Sequence, residues 1–300
     1  LGLPEHTEES GQWLAIDLVR SEPLWTADVR PGIDSFAVTA DGDKIYMPSG
    51  EEGENRSQWI VLDGRTGAER SRIDAATKAH NTIISPDGAY AYLAAVGYDH
   101  LIVVDTRTDK VVDRIGPFGA GIRPFALTSD GRYAVVNVNF LSGFEVADLR
   151  TGEILHRVKV EGWPWEDPEL PATQSHGVAF SPDEREVWVS DAWNQRVHIY
   201  DSSELPKKPR YVGNVDVRPP DGFRADDNLM QLPKWIRFTR DGRWVHISNG
   251  AIIDAAKREI VDWVTPSRHY IEIHWKDGRP VAAFPRYGNG YRTDAIAAAE

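Results

Sequence analysis

Two imidazoles, two cations, a carboxylate and a phenol share one register of this sequence. Each stands seven residues before a turn aspartate: Asp34 before Asp41, His80 before Asp87, Arg123 before Asp130, His176 before Asp183, Lys234 before Asp241, and Tyr270 before Asp277. Imidazoles move protons near neutral pH, and guanidinium and ammonium groups hold anions. One chemistry open to this set is acid–base catalysis on a small polar or anionic substrate, as a lyase or a hydrolase. His80 and His176 would serve as general base and acid, Asp34 would orient one of them, and Tyr270 would donate a proton. Arg123 and Lys234 would hold a carboxylate or stabilise an enolate or oxyanion. Trp235, beside the register, and Glu272, just past it, join the substrate-binding set.

A second chemistry uses one divalent transition metal. His80, His176 and His269, with Glu272 or Asp34, form an all-nitrogen-and-oxygen donor set suited to Zn, Mn, Fe or Cu. No local ligand motif such as H-E-x-x-H accompanies these residues, so the ligands would arrive one per repeat. The bland alternative is a solvated polar ring without chemistry, yet such a ring would consist mostly of Ser, Thr, Asn or Gly. Trp163, Trp165, Trp193 and Trp235 fall on loops or strand starts, where aromatic rings stack on a sugar or pack a loop down. Trp13, Trp25, Trp188 and Trp244 fall in strands and are expected in the core. Asp226-Asp227 with Asp221 reads as a solvated acidic loop ahead of a calcium site.

The elements that position these residues follow from a repeat. Strand-like runs end in aspartate at Asp17, Asp63, Asp105, Asp148, Asp201 and Asp254, and five of them follow the turns at Asp41, Asp87, Asp130, Asp183 and Asp241. "HNTIISPDG", "AYAYLAA", "LIVVD" and "KVVDRI" give four strands of one unit, by alternation, β-branched residues and Asp/Gly turns. A period of about 40 to 55 residues built from short strands predicts an all-β fold, a β-propeller. Six four-stranded antiparallel blades are expected within a single domain, residues 1–300. Five run from Asp34 to about Ile73, from His80, from Arg123 to about Val160, from His176 to about Val217, and from Lys234 to about Val264. The sixth combines "HYIEIHW" and "RPVAAFP" with the N-terminal "WLAIDLV" and "LWTADVR", closing the ring and leaving no free edge. The long insertions at 48–58, 162–175 and 219–233 all fall in connections that emerge on one face, as loops that build a site do.

Composition bounds the function further. A formal net charge of −12 argues against nucleic acid and anionic membrane surfaces. The chain has no cysteine, which removes disulfides and thiolate metal sites. No apolar run is long enough for membrane insertion. A G-x-S-x-G elbow and a P-loop are both absent, and "GPFGAG" lacks the strand–glycine–helix context of a dinucleotide fold. Asn55-Arg56-Ser57 is a glycosylation sequon.

"HNTIISPDGAYAYLAA…HLIVVDTRTDKVV" and "SHGVAFSPDEREVWVSDAWNQRVHIYD" resemble the YVTN-type β-propeller repeats of bacterial surface-layer and periplasmic proteins. The resemblance covers nearly the whole chain and implies a periplasmic or secreted location. Related propellers include lactone hydrolases, lyases, strictosidine-synthase-like enzymes and copper enzymes. No catalytic motif of theirs is matched, so the resemblance assigns no residue role. The chemistry therefore has three readings: His-based acid–base catalysis on a small-molecule substrate, a metal-dependent enzyme, or a non-catalytic propeller that binds a ligand or protein.

Overall fold

The computed structural model describes residues 11–29, 34–50, 57–165, 174–223, 231–267 and 270–284. Their named elements are all strands. Five four-stranded antiparallel sheets follow one another, and each is a simple meander. Repeat one holds β3 (Ala37–Val38), β4 (Lys44–Pro48), β5 (Gln58–Asp63) and β6 (Glu69–Asp74). Repeat two holds β7 (Ala79–Ile84), β8 (Tyr90–Ala95), β9 (Leu101–Asp105) and β10 (Lys110–Ile115). Repeat three holds β11 (Ile122–Leu127), β12 (Tyr133–Val138), β13 (Gly143–Asp148) and β14 (Ile154–Lys159). Repeat four holds β15 (Val178–Phe180), β16 (Glu186–Asp191), β17 (Arg196–Asp201) and β18 (Arg210–Asp216). Repeat five holds β19 (Ile236–Phe238), β20 (Trp244–Ile247), β21 (Ala251–Asp254) and β22 (Glu259–Trp263). The four-stranded repeat read from the sequence is thus present five times. Two further pairs, β1 (Gly11–Asp17) with β2 (Glu22–Val29) and β23 (Glu272–Lys276) with β24 (Arg279–Phe284), stand as separate two-stranded sheets.

Both repeated aspartates are turn devices. In the first-to-second strand turn, the Thr39, Ser85, Thr128, Ser181 and Thr239 hydroxyls donate to Asp41, Asp87, Asp130, Asp183 and Asp241 at 2.5–2.7 Å. The same hydroxyls accept the amide that opens the next strand at 2.9–3.0 Å. At the end of the third strand, the carboxylates of Asp63, Asp105 and Asp148 each accept two backbone amides of the following turn, as Asp17 does at the end of β1. Asp201 and Asp254 accept one each. Short acceptors of this kind close turns by satisfying amides that no strand can reach.

The residue after the turn aspartate is left-handed in every repeat: Gly42, Gly88, Gly131 and Gly242 have φ of 65–75°. Repeat four places Glu184 there at φ 59°. Its carboxylate accepts the Ser129 amide at 2.5 Å, and its carbonyl accepts the Ser202 hydroxyl at 3.0 Å. A side chain that ties repeat four to repeat three offsets the strain that glycine avoids elsewhere.

The chain divides into two compact units, Leu1–Ile115 with Ile271–Tyr287, and Gly116–Tyr270 with Gly288–Glu300. In the first, Tyr46, Trp59 and Val61 pack on Leu93, Ile102 and Val104, and Trp13 and Val29 pack on Ile45, Met47, Ile60 and Leu62. In the second, Phe144, Val146 and Val158 pack on Val178, Phe180 and Tyr200, while Trp188, Val197 and Ile199 pack on Ile236, Phe238 and Val245. The inner strands are buried on both faces, so they read as unbroken apolar runs. Each fourth strand is mostly exposed or half-buried and carries charge, as β10 does. Trp13 and Trp188 are core, as expected, whereas Trp25 and Trp244 are only half-buried. Trp25 lies over the Gly64–Gly67 turn, donating its indole N–H to the Gly64 carbonyl at 3.2 Å. Arg243 stacks 4.5 Å over the Trp244 ring.

Candidate active site

Strand β7 pairs Ala79 with Ala95 and then Asn81 with Ala94, which leaves His80 as the extra residue of a β-bulge. Bulges re-aim side chains and gather beside active sites. Beside it, Ser35 and Asn81 form a parallel bridge. That bridge runs the starts of repeats one and two side by side and in the same direction. The residues one step earlier, Asp34 and His80, therefore meet: Asp34 Oδ2 lies 2.9 Å from His80 Nδ1. Their side chains are 9% and 2% exposed. The other Asp34 oxygen accepts the Ser35 amide at 2.7 Å and the Ser35 hydroxyl at 3.1 Å. A carboxylate can only accept, so it fixes the His80 proton on Nδ1 and leaves Nε2 as the basic nitrogen. The arrangement is a histidine held in one tautomer and one orientation, which is what a general base requires.

Glu272 belongs to the same unit but has another neighbour. Its carboxylate meets the His274 Nε2 at 2.6 Å on the exposed β23 strand.

The remaining predicted residues lie in the second unit. Arg123 also falls within a bulge, between the Ile122–Val138 and Phe125–Val136 pairs of β11. It is buried and donates to Asn139 Oδ1 at 2.8 Å. His176 is buried, edge-on to Trp235 with ring centroids 5.1 Å apart. Trp235 is itself buried, 6% exposed. The Lys234 amide donates to the Ser248 hydroxyl at 2.9 Å. A Cβ on Gly177 would stand 1.9 Å from the Lys234 carbonyl oxygen, so only glycine lets the starts of repeats four and five approach this closely. The Tyr270 hydroxyl donates to the Ile247 carbonyl at 3.3 Å, and its ring lies 4.8 Å from that of His246. Burial raises the Tyr270 pKa, against a smaller lowering by a hydrogen bond from the Ser267 backbone.

Among the described residues, no three His, Asp or Glu side chains gather as a metal-holding group. His269 lies outside the described residues, as do Asp226, Asp227 and Asn55.

The structure adds a constellation that the sequence reading missed. In repeat four, Asp191 and His198 are both fully buried, with Asp191 Oδ2 3.0 Å from His198 Nε2. Gln174 Nε2 donates to Asp191 Oδ1, the Asn194 amide donates to the same oxygen at 2.9 Å, and Asn194 Nδ2 donates to Oδ2 at 2.8 Å. Trp163 and Tyr211 lie 5.8 and 6.1 Å from the imidazole, centroid to centroid. A signal was available. Three residues before each strand-end aspartate stand Leu14, Ile60, Ile102, Glu145, His198 and Ala251. Glu145 and His198 break an apolar column and are both buried. Glu145 accepts the Gly119 amide at 2.9 Å and Arg157 Nη1 at 2.5 Å.

No protein-family model matches this chain, and no curated protein aligns with it significantly.

Proposed function

We propose that this protein is a six-bladed β-propeller enzyme that uses His80 as a general base, oriented by Asp34, on a small polar or anionic substrate. The observation that carries the reading is the buried His80–Asp34 pair at 2.9 Å, formed at a bulge between two repeats. A histidine in this state accepts a proton from a carbon acid or from water, and the Asp34 carboxylate stabilises the imidazolium that results. Proton abstraction from carbon leads to a lyase; activation of water leads to a hydrolase. His80 is only 2% exposed, so the side chains over it must give way before a substrate reaches it. The Arg123, His176 and Lys234 side chains are not needed for this step. The lack of cysteine suits an oxidising compartment, and we place the protein in the periplasm or outside the cell.

The sixth blade in this reading joins β1–β2 to β23–β24. Both pairs belong to the first compact unit. Both leave apolar side chains in water: Val19 and Leu24 are 64% and 62% exposed, and Trp275 and Val281 are 58% and 61% exposed. Pairing β24 with β1 would give four strands in the meander order of the other repeats and remove two open edges. Amide hydrogen exchange checks this. Slow exchange along both β1 and β24 is expected, and free exchange along either strand would sink the sixth blade.

The catalytic reading is tested by screening small carboxylates, lactones and glycosides with the wild-type protein and with His80→Ala. Loss of about 10²- to 10⁴-fold in rate is expected for a missing general base. An active wild type whose rate survives in His80→Ala would overturn the reading.

A further inference from the structure

Repeat four carries an exposed aromatic ring on a rigid mount. Trp193 is 42% exposed. Its two neighbours are clamped: the Ala192 amide donates to the Gln174 carbonyl at 3.1 Å, and the Asn194 amide donates to Asp191 at 2.9 Å. Asn194 Nδ2 reaches across to the Pro164 carbonyl at 3.2 Å, which ties this turn to the segment bearing Trp163 and Trp165. Arg196 stacks 4.3 Å over Trp163. A large aromatic surface held this firmly in water loses little entropy when something stacks on it.

The same loops and the start of β17 hold buried polar side-chain atoms with no hydrogen-bond partner. Trp165 Nε1 and Arg196 Nε are donors; Gln174 Oε1 and Gln195 Oε1 are acceptors; all are covered from solvent. His198 Nδ1 is a third such acceptor, because Asp191 holds the ring proton on Nε2. An unmade hydrogen bond at a buried group costs about 1–3 kcal/mol, so five in these loops and the adjoining β17 call for an occupant.

The charged groups nearby are already hydrogen-bonded. Asp191 accepts from Gln174, Asn194 and His198, and Arg196 binds Asn214 at 2.7 Å and Asp216 at 2.9 Å. What remains is a mixed set of neutral donors and acceptors beside an aromatic face. Hydroxyls offer both roles at once, and the C–H face of a pyranose covers an indole.

We propose that the loops of repeat four bind a neutral carbohydrate, with Trp193 as the stacking platform and Gln174, Gln195 and Arg196 reading its hydroxyls once the side chains that cover them shift aside. This site does not depend on His80. The experiment is calorimetric titration of the full chain with neutral mono- and disaccharides and with the matching uronic acids, repeated on Trp193→Ala, Trp193→Phe and His80→Ala. Neutral sugars are expected to bind, at least tenfold more weakly in Trp193→Ala, with affinity largely kept in Trp193→Phe and unchanged in His80→Ala. Absence of binding to every neutral sugar, equal binding by Trp193→Ala, or a clear preference for the uronic acids would overturn the proposal. Loss of binding in His80→Ala would refute the independence of the two sites and leave a single site at His80.

Discussion

Two histidine–aspartate pairs lie in this molecule at nearly the same distance, and they are set in different surroundings. His80 and Asp34 meet at 2.9 Å, His198 and Asp191 at 3.0 Å, and all four side chains are nearly or fully covered. The first pair joins two repeats at strand starts, through a bulge and a single parallel bridge. The second lies within one sheet, where β16 and β17 are paired from end to end. Asp191 also takes hydrogen bonds from Gln174 and twice from Asn194, two residues of its loops. A carboxylate engaged on every side is a brace for loops, and its histidine is one strut of that brace. The difference teaches that distance alone does not describe such a pair: the proposed base lies at a bulge between two repeats, the brace within a sheet paired from end to end.

The largest effect that would break this contrast is on stability. Asp191→Ala removes the acceptor for four donors at once, two of them buried and two part-buried, and loss of about 3–5 kcal/mol is expected. His80→Ala leaves Asp34 bound to the Ser35 amide and hydroxyl. Its cost in stability should be only about 1–3 kcal/mol, while its cost in rate is the larger one. Urea denaturation of both variants checks the pair. Equal losses would erase the distinction, and a larger loss in His80→Ala would reverse it.

The same contrast explains what could be read in advance. The four-stranded repeat was legible because its turns are closed by short acceptors that must recur, the Thr39–Asp41 type and the Asp63 type. The meeting of Asp34 with His80 followed from counting back along the repeat, since equal offsets reach equal places in successive sheets. The bulge at His80 left no mark in the sequence, because one inserted residue changes pairing and not residue type. The burial of Trp235 was not legible for a related reason: position beside the register says nothing of burial, and the close approach at Gly177 packs it against His176. Glu272 and Tyr270 were placed by counting alone, and each spends its polar group on a neighbour that counting does not see, His274 and the Ile247 carbonyl. His198 was overlooked because the polar register drew attention to the first strand; the apolar column of the third strand held the second pair.

The smallest expected effect sets the conditions under which the two pairs can be compared. The strand-end aspartates are all held below their ordinary pKa of 3.8 where a shift is resolved. For Asp63 the cause is the Arg70 guanidinium hydrogen bond first, opposed by burial and helped by Thr66 and the turn amides. For Asp201 it is the Ser203 hydroxyl, then the Ser203 amide and Arg210, which bring the group to about 2. For Asp17 it is the Arg20 and Val19 amides. At Asp105 and Asp148, burial pulls upward and is outweighed by the turn amides. A carboxyl whose folded pKa is depressed contributes its stability in full above the unfolded value and loses it as pH falls through the folded value. These groups should therefore leave stability flat above pH 3.8 on their account and erode it from there down to about pH 2, the range that Asp201 defines. The urea midpoint measured from neutral pH down to about 2 tests this. Replacing Asp201 with Asn keeps an acceptor for the Ser203 amide but no titrating group, so the acid slope should become shallower. An unchanged slope in Asp201→Asn, or stability that rises on acidification through this window, would contradict the role of the turn aspartates. Comparison of His80 with His198 then belongs above this window, where the turns are intact and a difference between the variants reports on the two pairs themselves.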